Sequence, residues 1–352
     1  MRAGQQFIRF FRDRRAITSS ALMLIALLIG LAVLSAFNAR RQALNDLGRR
    51  ITAQISLRGT TLDQEIAQLR RNAQFLAQLQ SVQELTHAKL NSGAGAPDEA
   101  SEALWIRQLQ HVFVAFASAN PEFTEIQFID ATNNGRELVR VQQYQNGIVV
   151  VPPEQLQEQG SGDSFVSSIK LQPGEVYLSD FNLTKDNSNL QEPVVPTLRV
   201  VTPVLGPDGT IFGLIVVNLN ANFLLNQFKA DLPRRFQVYL TNSSGDYLLS
   251  PDAGKNFTIE QGVHSRWNND FSLRSQGESR VPRLENYTSS SGIVHGMSYK
   301  IPLDSHDKRR FLVLHVMAPD AVIQTVVYTV LMQMMIGLVM AFLVIGLLLY
   351  LY

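Results

Sequence analysis

The chain has 352 residues, 45% of them hydrophobic and 17% charged, with 31 Lys and Arg against 30 Asp and Glu. A soluble domain carries about 25% charged residues; the shortfall is confined to 16–39 and 321–352, which hold no charge, so the remainder, at about 21%, excludes both a wholly disordered chain and a multi-span transporter. The net charge of +1, with Arg2, Arg9, Arg12, Arg14 and Arg15 clustered at the start, leaves no basic field for nucleic acid, and the lack of cysteine excludes disulfides, thiolate metal sites and cysteine nucleophiles.

The segment 1–16 is basic, and 17–37, rich in Leu, Ile and Ala, has about the 20 residues that a helix needs to cross a bilayer. It is longer than the apolar part of a signal peptide, so it reads as an uncleaved anchor. The arginine cluster places the first residues in the cytoplasm, although Arg40, Arg41, Arg49 and Arg50 on the far side weaken that rule. The second apolar run, 320–352, reaches the last residue, so the chain is expected to be the front part of something longer. Between the runs, 38–100 begins with apolar residues at spacings of three and four, from Leu44 and Leu47 through Leu62, Ile66, Leu69 and Leu76 to Leu79. This predicts one long helix to about residue 89, then a flexible linker at 91–97 whose Gly93 and Gly95 read as a turn rather than a phosphate cradle.

A second helix is predicted at 101–119, after which the period changes to two. Candidate strands follow at 124–130, 137–144, 175–179, 197–204 and 210–219, with Asn133-Asn134-Gly135 as the turn between the first two and a short helix at 221–229. The order then repeats in smaller form, with strands at 235–241, 247–250, 283–287, 294–301 and 310–317. The expectation is an α+β chain with two small mixed modules, 101–232 and 233–319, on one stalk.

Three fragments in this order carry a family resemblance. FTEIQFIDATNNGRELVRV at 123–141 resembles the opening hairpin of the double-Cache sensor domains of bacterial transmembrane receptors, tandem PAS-like modules on a long membrane-proximal helix. VYLSDFNLTKDNSNLQEPVVPTLRVVTPVLGPDGTIFGLIVVNLN at 176–220 is similar to the later strands of the first module, and FQVYLTNSSGDYLLSPD at 236–252 to the start of the second. The resemblance is closest to sensor histidine kinases, with diguanylate cyclases and chemoreceptors sharing the layout. It implies a two-pass protein of the bacterial inner membrane, with its central domain in the periplasm, that binds a small molecule in the membrane-distal module and signals as a homodimer. The stalk repeat, the Ala26 and Gly30 pair, and Gln324 and Gln333 in the second span fit a dimer. The Arg-x-Trp-Tyr signature of the amino-acid-sensing branch is not found, which puts amino acids in doubt as ligands. A membrane-anchored structural or binding protein is the alternative class.

No catalytic motif is visible, no cofactor is implied, and the six scattered histidines make a metal site improbable. Asp186, Asn187 and Asn189 form only part of a calcium loop, and the cluster from Asp304 through His306 to Asp307 reads as a solvated loop. Arg140 and Arg199 alternate with apolar residues inside predicted strands, so each needs a partner: an internal one such as Glu137, Asp180 or Glu192, or an anionic ligand gripped by the guanidinium fork. Tyr144 and Tyr177 are candidates for the same pocket, with core packing as the alternative, and 151–173 is a candidate lid. The candidate ligand-binding set is therefore Arg140, Tyr144, Tyr177 and Arg199, and the candidate ligand a small organic anion such as a carboxylate.

Overall fold

The computed structural model describes residues 2–91, 99–144, 146–183, 185–186, 189–190, 195–274, 284–304 and 307–351. Gly93 and Gly95, Asn187, Glu192 and His306 lie outside the described residues. The chain is α+β with antiparallel sheets and divides into a larger unit, Gln54–Ser272 with Ser298–Val316, and a smaller one, Met1–Ala53 with Leu273–Met297 and Met317–Tyr352.

The helices at the start are α1 (Arg2–Ala77), α2 (Gln80–Asn91) and α3 (Glu99–Ala119). The expected single stalk helix is thus divided at residues 78–79, where neither Gly nor Pro occurs; Gln83 Nε2 donates to the free carbonyl of Ala77 at 3.0 Å, capping the end of α1 from inside the next helix. In the larger unit Ile55, Leu62, Ile66, Leu69, Ala73 and Leu76 of α1 are all buried. The apolar repeat read as a dimer seam is therefore covered by the chain's own core, leaving only Leu57 and Phe75 as large exposed apolar residues along that part of α1.

Next come β1 (Phe123–Asp130), β2 (Arg136–Tyr144), β3 (Gly147–Val150), α4 (Asp163–Ser168), β4 (Tyr177–Leu178), β5 (Asn182–Leu183), β6 (Lys185–Asp186), β7 (Asn189–Leu190), β8 (Pro196–Leu205) and β9 (Ile211–Asn220), then α5 (Asn222–Lys229). β6 and β7 pair only with each other; the other strands form one sheet in the order β3-β2-β1-β9-β8-β4, with β5 also on β8. The β1–β2 turn is the Asn-Gly turn predicted: Asn134 and Gly135 have φ of 49° and 69°, and Arg136 N donates to Asn133 O at 2.9 Å. α3 packs on the sheet's apolar face, where Ile126, Phe128, Val139, Val141, Ile215 and Val217 are buried. β3 and α4 were not foreseen, and the expected strand 175–179 shrinks to two residues.

Gly213 fixes the spacing of β9 and β1, because a Cβ there would lie 2.6 Å from Ile129 O and 2.8 Å from Phe128 Cε2. Backbone cannot yield as a side-chain tip does, so Gly213→Ala is expected to destabilise the larger unit by about 2 kcal/mol or more. A urea unfolding midpoint that stays unchanged would contradict this.

The remaining elements are β10 (Gln237–Thr241), β11 (Tyr247–Leu249), α6 (Trp267–Asp270), β12 (Ser272–Leu273), β13 (Glu285–Ser289), β14 (Gly292–Pro302), β15 (Phe311–Pro319) and α7 (Ala321–Leu351). Within the larger unit a second sheet runs β11-β10-β15-β14. Within the smaller unit β13 pairs with β14, and His295 is buried with its ring nitrogens 2.6 Å from Asn286 Oδ1 and 2.8 Å from Asp320 Oδ1. Asp320 begins α7: its carbonyl accepts from Ile323 N and Gln324 N, and its carboxylate from Gln324 Nε2 at 2.7 Å. Among the described residues one helical segment, Ala321–Val344, is long and apolar enough to cross a membrane. The expected first span, 17–37, falls partly on side chains outside the described set; Leu27, Leu31, Leu34 and Phe37 on it are exposed.

Candidate functional site

Strand register decides which side chains of the first sheet share a face. Arg140 is paired with Gln127, Gln127 with Val216, Val216 with Val201, and Val201 with Tyr177, so these five form one row across β2, β1, β9, β8 and β4. The next row holds Gln142, Glu125, Asn218 and Arg199, and the row on the other side has Ile129 beside Leu214. Tyr144 lies two residues beyond Gln142 on β2. All four candidate residues therefore lie on the face opposite α3, as a common pocket would need.

They do not converge. Arg140 and Tyr177 end a row spanning four strand intervals, about 19 Å at 4.8 Å each. Tyr144 is 51% exposed at the end of β2, and its hydroxyl donates to Gln142 Oε1 at 2.7 Å. Tyr177 packs on the apolar cluster of Ile129, Val201, Leu214 and Val216, with the Arg310 guanidinium 4.8 Å from its ring centre. It follows the core-packing alternative. Asp180, an expected partner for Arg140 or Arg199, instead lies 3.4 Å from Arg310, a residue 130 positions away that no local pattern connects to it.

The two arginines have different electrostatic surroundings. Glu137, whose side chain is fully buried, accepts from Gln157 N at 2.9 Å, Gln159 Nε2 at 2.9 Å, Gln127 Nε2 at 3.2 Å and Arg140 Nη1 at 3.2 Å. Arg140 Nε is also 3.7 Å from Glu125 Oε1, so this guanidinium is neutralised internally. Glu125 accepts in turn from Gln142 Nε2 at 3.1 Å and Asn218 Nδ2 at 2.6 Å. Arg199 ends the chain of contacts, with Nε donating to Asn218 Oδ1 at 2.9 Å. Among the described residues its guanidinium meets an amide and no carboxylate.

Arg199 also lines a small, partly covered cavity with Gln127, Ile129, Val201, Leu214 and Val216 from the sheet and Gln159, Gly162, Ser164 and Phe165 from the segment above. Its free volume is about 20 Å³, room for about one water. The expected lid at 151–173 thus crosses this face, but as an ordered cover. Gln159 N bonds Gly135 O at 2.9 Å, Gly160 lies so close to Asn134 that a Cβ there would be 2.5 Å from Asn134 O, and α4 sets Phe165 on the sheet's apolar cluster. Gln159, Ser164 and Phe165 were missed in the sequence; the signal available was the Phe165-Val166 pair in a run rich in Gly and Ser. Two larger hollows lie along α1, one of about 190 Å³ beside Arg58 and Phe228 and one of about 560 Å³ beside Arg70 and Lys170. Both are open to solvent, and in the first Arg58 is already occupied by the carbonyls of Phe228 and Ala230. No cluster of three potential metal ligands occurs among the described residues.

A family profile described as "Bacterial histidine kinase, sensor domain" matches residues 60–273. Similar solved structures include a domain of a sensory box/GGDEF family protein from Vibrio parahaemolyticus (17% identity, TM-score 0.58, covering 80% of this chain and 99% of that one). They also include the extracellular domain of the histidine kinase designated vpHK1S-Z8 (17%, 0.54, 83% and 95%). A third is the ligand-binding domain of the Campylobacter jejuni chemoreceptor Tlp3 in complex with L-valine (10%, 0.53, 81% and 98%). At these identities the likeness is one of fold. No curated protein matches the chain.

Proposed function

The chain belongs to the bacterial histidine kinase sensor-domain family, and we propose that it takes a small molecule beneath α4 on the first sheet and passes the signal to α7. It is a sensor part of such a receptor. The observation that carries the ligand reading is Arg199, a guanidinium without an acidic partner among the described residues, lining a small, partly covered cavity with an apolar floor. Small-molecule complexes of the similar chemoreceptor domain support it.

In the same reading the two sheets are the cores of two tandem PAS-like modules, 101–232 and 233–319, and the chain is anchored by helices at 17–37 and 320–352 with the part between them in the periplasm. The exposed apolar surface of α7 supports the second anchor. The homodimer of this reading uses the membrane segments and the exposed side of α1, since Leu62, Ile66, Leu69 and Leu76 are buried.

Two results are expected of the full chain. Periplasmic-reporter fusions at Gly162 and Ser290 should be active in cells, and silent fusions at both would overturn the topology. In detergent micelles a bound small molecule should lose on the order of 2 kcal/mol, about thirtyfold in affinity, when Arg199→Ala removes a charge-assisted contact. An unchanged dissociation constant in the folded variant would overturn the site.

A further inference from the structure

The cavity beneath α4 has a direction. Arg199 is in one row, Val201, Val216 and Gln127 in the next, and Leu214 and Ile129 in the third, so its wall changes from cationic to apolar over two row spacings, about 13 Å along the strands. The apolar end is well buried: Ile129, Val201, Leu214 and Val216 are at most 4% exposed, and Phe165 packs over them. A ligand that fits both ends has one anionic group and a short hydrocarbon tail.

The same face argues against a second, positive group on that ligand. An ammonium placed here needs a carboxylate acceptor, since burying it unpaired is costly. Among the described residues, the two carboxylates of this face are already engaged: Glu137 receives four donors, and Glu125 receives Gln142, Asn218 and the nearby Arg140. Recruiting either one would strip a donor from a buried charge or leave Arg140 without its partner. Arg199, by contrast, uses Nε on Asn218 and keeps the planar end of its fork for a carboxylate.

Resting on the reading of this cavity as the ligand site, we infer that the ligand class is a short aliphatic monocarboxylate with no ammonium group. Its carboxylate sits on Arg199, and its tail runs along the strands over Val201, Val216 and Leu214. Because the free volume is about 20 Å³, entry requires Phe165 and α4 to lift, and the tail then takes the ring's place on the apolar floor. That displacement links occupancy to a movement of the cover.

The test is calorimetry of the full chain in detergent micelles with three probes of similar skeleton: isovalerate, L-valine, which adds an ammonium, and isoamyl alcohol, which lacks the charge. Isovalerate is expected to bind at least about tenfold more tightly than either of the others and to lose about thirtyfold in Arg199→Gln, a variant able to keep the hydrogen bond to Asn218. L-valine binding as tightly as isovalerate, with both weakened by Arg199→Gln, would overturn the ligand class and leave the site standing. Failure of all three probes to bind, or equal binding by a folded Arg199→Gln, would overturn the site as well. Far-UV circular dichroism and the urea midpoint of the variant separate lost contact from lost fold.

Discussion

Glu137→Ala is expected to destabilise the larger unit by about 3–5 kcal/mol, the range found when one partner of a buried ion pair is removed. The side chain is fully buried and accepts four hydrogen bonds, so its loss leaves Gln127, Gln159 and the Gln157 amide without this acceptor and Arg140 with the carboxylate of Glu125, 3.7 Å away. Two of those donors belong to the cover over the cavity, which should loosen as the core weakens. Arg140→Ala should cost less, because Glu137 keeps three donors. Replacing both at once, as Glu137→Gln with Arg140→Met, should recover part of the loss by removing both charges from the buried site. Urea unfolding followed by circular dichroism gives all three values. If Arg140→Ala alone leaves stability unchanged and instead abolishes ligand binding, Arg140 serves the ligand and the internal assignment is wrong.

This ordering bears on what was legible in the sequence. Alternation of apolar and polar residues located β1, β2, β8 and β9 to within one residue, and the Asn-Gly pair located the turn between the first two, because both signals are local. The common face of Arg140, Tyr144, Tyr177 and Arg199 was open to reasoning only as a condition, since pairing register is non-local and a shift of one residue reverses every side chain. The order of strands was not legible. Because β9 and β8 lie between β1 and β4, Tyr177 ends four strands from Arg140 and the expected cluster separates. Partner choice failed for the same reason: Glu137 is three residues from Arg140 and was named, whereas the Arg310 that engages Asp180 comes from just before β15, 130 residues away. α4 escaped because six residues carry too little periodicity to stand out from a loop.

The second large effect is expected on acidification, through His315 in the second sheet. Its ring is stacked on Trp267 at 3.7 Å between centres and 8° between planes, with Nδ1 2.7 Å from Ser298 Oγ and Nε2 3.3 Å from Thr241 Oγ1. Around that stack are Tyr239, Tyr247 and Phe271, with Tyr247 donating to Asp270 Oδ2 at 2.9 Å, so the module's interior is filled by aromatic rings. Burial pushes Tyr239 up to about 12 and lowers His315 to about 3, each disfavouring the charged form. Two hydroxyls suit a neutral ring, since each can turn to donate or accept. The unfolded chain takes up a proton at His315 below the ordinary value of about 6.5, whereas the folded chain resists until about 3. Stability from this residue is therefore complete above pH 6.5 and falls through that window by about 1.4 kcal/mol per pH unit. Comparing urea midpoints at about pH 7.5 and 5.5 stays above most carboxylate titration, and the wild-type chain should lose about 1.4 kcal/mol more than His315→Gln over that interval. The remaining histidines are present in both proteins, so the difference isolates this ring. Equal losses in the two would mean that His315 is protonated in the fold, and its contacts with Ser298 and Thr241 would then both be donated.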